Sequence, residues 1–167
     1  MFVNARAIIE RTGELDTELL LQVRDKPNQP QAWEFPGGRI EEYESIEEAL
    51  YREVFEETGL QVKAIKDDIN RGVYTNNGYS IEGLTPFYVY QTLQGPVDSI
   101  GFIFRCSVEG GELTWNEEAK GHRWIPIKIL ERMLLNDPDV FDFLTQGLLD
   151  YYLAWMSRQE LTAASAK

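Results

Sequence analysis

Apolar and polar positions along the chain follow two rhythms. Short apolar or alternating runs rich in β-forming residues occupy residues 2–10 (FVNARAIIE), 18–24 (ELLLQVR), 60–65 (LQVKAI), 84–93 (LTPFYVYQTL), 99–108 (SIGFIFRCSV) and 122–127 (HRWIPI), and they predict strands. Turn chemistry separates them: Gly13 and Asp16, Pro27 and Pro30, Pro36 with Gly37 and Gly38, TNNGYS at 75–80 and EGGEL at 109–113. A helical spacing starts at Ser45, which forms a capping box with Glu48, and stops at Gly59, a C-terminal cap. A short helix is expected over 127–135, and a last one from about 138 to 157, opened by Asp137-Pro138. The stripe Phe141, Leu144, Leu148, Tyr152 and Trp155 on that last helix reads as core or subunit interface. The pattern predicts a mixed α/β (α+β) sandwich, one domain over residues 1–160 with a frayed, disordered tail over 161–167.

Composition narrows the function. The chain has 167 residues, 43% hydrophobic and 26% charged, as expected for one globular domain with a real core. A formal net charge of -12 argues against binding nucleic-acid polymers, which needs a basic surface, and suits a protein that recruits divalent cations. With Cys106 the lone cysteine, no internal disulfide forms, which fits a reducing cytoplasm. The first ten residues make a poor signal peptide, and no apolar run approaches a membrane span, so no membrane partner is expected.

The helix over 45–59 changes the picture. Advancing about 100° per residue from Ile46, the apolar Ala49 and Leu50 share its side, and so do Glu53 and Glu57, with Glu56 beside them. The inward face therefore begins apolar and turns acidic one turn later. A merely solvated face would put the acids opposite Ile46 and Leu50. Clustered carboxylates on a partly buried face are costly without positive charge. Arg52 reaches Glu48 and Glu56 at helical spacing but cannot neutralise all three inner acids. A hard divalent cation, Mg²⁺ or Mn²⁺, can, and it binds substrate phosphates as well. The glycines of the preceding loop allow close backbone approach, so that a carbonyl there can join the coordination.

Gly38, Glu44, Arg52, Glu53, Val54, Glu56, Glu57, Gly59 and Leu60 stand at every fixed position of the Nudix box, a highly specific pattern that covers residues 38–60. The chain thus resembles the Nudix hydrolase family, and WEFPGG ahead of the box is similar to its MutT-like branch. The resemblance implies the Nudix fold, a mixed β-sheet between α-helices, and hydrolysis of a nucleoside diphosphate linked to another group. It implies that Glu53, Glu56 and Glu57 hold Mg²⁺ or Mn²⁺ with help from the Gly37 carbonyl. By the same resemblance Arg52 orients the acids, while Glu44, with Gly38, supports the junction of loop and helix. Glu53 is one candidate base; family members often use a glutamate from a later loop, where TWNEEAKGHRW offers Glu117 and Glu118, with Glu118 favoured.

Outside the box the signals are weaker. Trp33 either packs the core or stacks a base, and Phe87 and Tyr90 are either core or part of a substrate pocket or dimer contact. His122, the only histidine, reads as structural and Cys106 as packing. Substrate choice belongs to loops outside the box. Tracts associated with hydrolases of ADP-ribose, NADH and coenzyme A are missing. A small-molecule nucleotide is therefore expected, nucleoside triphosphates ahead of nucleotide sugars or dinucleotides. The alternatives are a non-catalytic nucleotide-sensing module and an RNA 5′-end hydrolase. The apolar last helix suggests a homodimer.

Overall fold

The computed structural model describes residues 1–68, 70–114, 116–117 and 119–167. Its centre is β1 (Phe2–Thr12), a strand long enough to serve several neighbours. The first half of β1 pairs antiparallel with β4 (Gly37–Arg39), and its far end pairs antiparallel with β2 (Thr17–Arg24). Along most of its length it runs parallel to β9 (Ser99–Glu109), Phe2 facing Ser99 and Ile9 facing Cys106. β10 (Ala119–Pro126) lies outside β2, and β5 (Gln61–Ile65) outside β9, giving the order β10-β2-β1-β9-β5. β3 (Ala32–Glu34) adds to β2 and β8 (Tyr88–Gln91) to β9, which makes an eight-stranded mixed sheet. β6 (Gly72–Asn76) and β7 (Tyr79–Gly83) form a separate hairpin turned by Asn77 and Gly78, both at positive φ.

Both faces of the sheet are covered, which is why its strands read as apolar runs rather than strict alternations. α1 (Ile46–Thr58) covers one face, where Ala49, Leu50 and Val54 pack with Ala5, Ala7, Ile9, Leu20 and Phe104. α2 (Ile127–Asn136) and α3 (Phe143–Ser165) cover the other, where Leu130, Leu148, Leu149 and Tyr152 meet Ile8, Leu19, Leu21 and Ile103. This is the mixed sheet between helices that the family resemblance implied, and a mixed sandwich as the residue pattern predicted.

The last helix differs from expectation at both ends. Pro138 opens a single 3-10 turn, Pro138–Val140, and Asp142 caps α3 by accepting the Thr145 N–H at 2.7 Å. The helix then runs to Ser165, through much of the segment expected to fray. Phe141, Leu148 and Tyr152 of its apolar stripe are spent inside the chain. Phe87 explains part of this: its ring meets Tyr151, Tyr152 and Trp155 edge to face at 5.2–6.0 Å.

One buried ion cluster fastens α3 to the sheet. Glu10, 4% exposed at its side chain, accepts from Arg105 Nε and Lys66 Nζ, each at 2.6 Å, and from the Tyr152 hydroxyl at 3.0 Å. The Arg105 guanidinium also lies 4.0 Å over the Trp155 ring.

Candidate active site on the acidic helix

α1 owes its limits to local chemistry. Ser45 Oγ accepts the Glu48 N–H and the Glu48 carboxylate accepts the Ser45 N–H, closing the capping box. Gly59 ends the helix in the left-handed region at φ 75°. Glu48 is thereby committed to the cap and is not the partner of Arg52 that helical spacing alone suggested. Arg52 instead grips Glu44 with two bonds, from Nε at 2.7 Å and from a terminal nitrogen at 2.9 Å. Its other terminal nitrogen donates to Glu53 at 2.8 Å and to Glu56 at 3.3 Å, while the terminal nitrogen that binds Glu44 also donates to the Arg39 carbonyl at 3.0 Å. Glu44 in turn accepts the Glu41 N–H, so loop and helix are tied through one guanidinium.

Glu57 points the other way, into the sheet. One of its oxygens accepts the Gly37 N–H at 2.7 Å and the Gln22 side-chain amide at 2.9 Å. Gln22 faces buried Glu34 across the β2–β3 pair, and Glu34 makes an ion pair with Arg24 at 3.1 Å. Arg6 donates to the Phe35 carbonyl at 2.8 Å and brings positive charge to bear on Glu34, Asp142 and Glu57. Gln22, Glu34 and Arg6 carried no signal at short range in the sequence. Only the register of β1, β2 and β3 brings them to α1.

The glycines are placed by contact. Gly37 sits at φ 139°, and a Cβ there would come within 2.6 Å of the Arg6 Cγ and press on the Ala5 carbonyl. A Cβ on Gly38 would lie 2.5 Å from a Glu53 carboxylate oxygen. Gly37→Ala is expected to cost about 2–4 kcal/mol, combining backbone strain with overpacking. Urea denaturation of the variant measures it, and an unchanged midpoint would contradict the strain.

Burial sets the electrostatics. It pushes the Glu57 carboxyl up to about 7, against the lowering effects of the Gly37 N–H, Arg6 and Gln22. Burial also raises Glu53 above the usual carboxylate range, the bonds and charge of Arg52 holding it back. Glu56 is the most open of the three, 55% exposed at its side chain. Among the described residues no three carboxylates close around one point, since Arg52 draws Glu53 and Glu56 aside while Glu57 is tethered at Gly37. The donor set nevertheless suits a hard divalent cation: oxygen ligands, partly buried, and two of them with their charge disfavoured by burial.

The remaining candidates divide. Tyr90 stands close enough to Arg6 to influence its charge, and its hydroxyl accepts from Asn4 at 3.0 Å. Trp33 is half-buried on β3 and accepts the Asp142 N–H through its carbonyl. Phe87 faces the aromatic side chains of α3 rather than the acids. Burial holds the His122 imidazole below its ordinary value, and it pushes the Cys106 thiol up to about 12. Glu118 lies outside the described residues.

Residues 1–144 match the family described as NUDIX domain. The chain is 32% identical over 127 residues to the nucleoside triphosphatase NudI of Enterobacter sp. (strain 638), an alignment covering 72% of this chain and 79% of that protein. It is 32% identical over 115 residues to a MutT-like protein of Streptomyces ambofaciens, covering 68% of this chain and 60% of that one. Among solved structures, the NUDIX domain of Shewanella oneidensis NrtR complexed with ADP ribose superposes with a TM-score of 0.64 at 15% identity, covering 96% of this chain and 88% of that one.

Proposed function

The chain belongs to the Nudix family of hydrolases, which act on phosphoric anhydride bonds of nucleotides, and from that premise we propose a Mg²⁺-dependent nucleotide pyrophosphohydrolase whose substrate is a nucleoside triphosphate. The observation that supports it best is the pair of partly buried acids, Glu57 beside Gly37 and Glu53 beside Gly38, whose carboxyls burial holds above their usual range. The triphosphate is preferred to nucleotide sugars and dinucleotides because the relative matched over 79% of its length is a nucleoside triphosphatase.

In this reading Glu53, Glu56, Glu57 and the Gly37 carbonyl hold Mg²⁺ or Mn²⁺. When bound, the cation supplies neutralisation of the diphosphate oxygens. Arg52, fixed by Glu44, aims Glu53 and Glu56, while Gln22 and the Gly37 N–H aim Glu57. Arg6 sets a further positive charge near Glu57 and Tyr90, matched to an anionic ligand. Glu118 is our assignment for the base that accepts the proton of the attacking water, with Glu53 the second choice. Trp33 and Tyr90, both partly buried against the core, are the aromatic candidates for a base-binding wall, while Phe87 packs against α3.

The test is a panel of nucleoside triphosphates, nucleotide sugars and dinucleotides, with products identified by mass. Turnover is expected with Mg²⁺ or Mn²⁺, abolished by EDTA and restored by adding either ion back. Undiminished turnover in EDTA would remove the metal from the proposal. Failure to cleave any compound with metal present would leave the sensing module instead.

A further inference from the structure

The β6–β7 hairpin has a surface that the hydrolytic reading does not use. Among the described residues neither of its strands is hydrogen-bonded to the eight-stranded sheet. The segment is held at its base, where Arg71 pairs with Glu47 of α1 and Asp68 accepts the Thr85 N–H at 3.1 Å. One face of the hairpin carries the opposed pairs Tyr74–Ile81 and Asn76–Tyr79. Tyr74, Ile81 and Tyr79 are 64%, 68% and 80% exposed, and Val73 on the other face is 70% exposed. A lone two-stranded hairpin is marginal in water and needs further strands or a packed face.

Its edge is also undefended. Proteins usually blunt such edges with lysine, proline or a bulge. β6 has none of these, and its register with β7 is unbroken over five pairs, Gly72–Gly83 to Asn76–Tyr79. In a chain with 26% charged residues and net charge -12, the ten residues 72–81 (GVYTNNGYSI) contain no charge at all. Two copies repel one another over most of their surface, and this neutral strand is a place where they can touch.

We propose that a second copy of this chain pairs antiparallel with the outer edge of β6, about a two-fold axis at Tyr74, to form a four-stranded sheet across a dimer. The alignment is self-complementary: Tyr74 meets its own counterpart, Val73 meets Thr75, and Gly72 meets Asn76. Pairing through β7 would bring Glu82 of each copy into the contact, so β6 is the edge charge favours. Pairing at β6 covers chiefly Val73, Tyr74 and Thr75 and leaves Ile81 and Tyr79 on the far strand, so the contact falls short of the roughly 800 Å² per partner of a standard interface and the dimer is a weak one.

Sedimentation equilibrium of the full chain from about 1 µM to about 1 mM reads this directly. The wild type is expected to pass from monomer to dimer, and Tyr74→Lys, which sets two like charges against each other at the axis, to raise the dissociation constant at least about tenfold with turnover unchanged. A wild type that stays monomeric throughout, or a folded Tyr74→Lys that associates as the wild type does, overturns the proposal. Should Tyr74→Lys misfold, Tyr74→Cys decides the matter. Cys106 is buried, so position 74 carries the accessible thiol, and directly opposed strand residues lie within disulfide reach. Tyr74→Cys should cross-link on mild oxidation while Ser80→Cys, on the far strand, does not; no cross-link at 74, or equal cross-linking at both, overturns it.

Discussion

Replacing Glu57 by Gln is expected to leave the fold intact and to lower turnover about 10³-fold or more. The amide keeps the size of the carboxylate and can still accept the Gly37 and Gln22 bonds that now hold it. What it loses is the negative charge offered to the cation, an interaction worth several kcal/mol at a transition state, where each 1.4 kcal/mol is a factor of ten. Steady-state kinetics with saturating Mg²⁺, alongside circular dichroism, separate the two effects. Turnover within a few-fold of wild type would remove Glu57 from the metal set, whatever became of the rest of the box.

The second large effect concerns stability and lies far from the acids of α1. Glu10→Ala leaves Arg105 (12% exposed) and Lys66 without the carboxylate between them. Removing one partner of a buried ion pair costs about 3–5 kcal/mol, and because Arg105 keeps its pair with Asp67 and Lys66 is partly exposed the loss falls at the low end, with a drop in melting temperature of about 10 °C. Burial by itself would raise the Glu10 pKa, but the hydrogen bonds and charges of Arg105 and Lys66 outweigh it and hold the carboxyl below its usual value. A lowered folded-state pKa contributes stability that is present above the unfolded value, about 4.3, and is lost as pH falls through the folded one. The gap in unfolding free energy between wild type and Glu10→Gln should therefore be full near neutral pH and shrink below about pH 4. A gap constant from pH 7 to 3 would show that the charge contributes nothing.

The limits of α1 were legible because every group that sets them is within a few residues: Ser45 with Glu48 at the start, Gly59 at the end. The acids that share its inward side were legible for the same reason, a periodicity local to the helix. The start of α3 was not. Pro138 suits the first turn of a long helix and a single 3-10 turn equally well, and the true cap, Asp142, is set where its N–H bonds to the Trp33 carbonyl on a distant strand. Arg52 shows the same division. Spacing along the helix offered Glu48, but the loop folds back to present Glu44, and the bidentate contact wins.

By itself, then, the order of residues determined the longer strand runs, the limits of α1, and which carboxylates lie on one side of that helix, since these depend on neighbours along the chain. Only the tertiary structure decided that burial pushes the Glu57 carboxyl up to about 7, that Gln22 and Gly37 aim it, that Glu10 is tied to Lys66, Arg105 and Tyr152 at once, and that β6 pairs with β7 alone among the described residues. Those properties follow from desolvation, Coulomb interaction and unpaired backbone groups. Each is fixed by what surrounds a side chain or strand in space, and strand register across the sheet brings residues tens of positions apart into that surrounding.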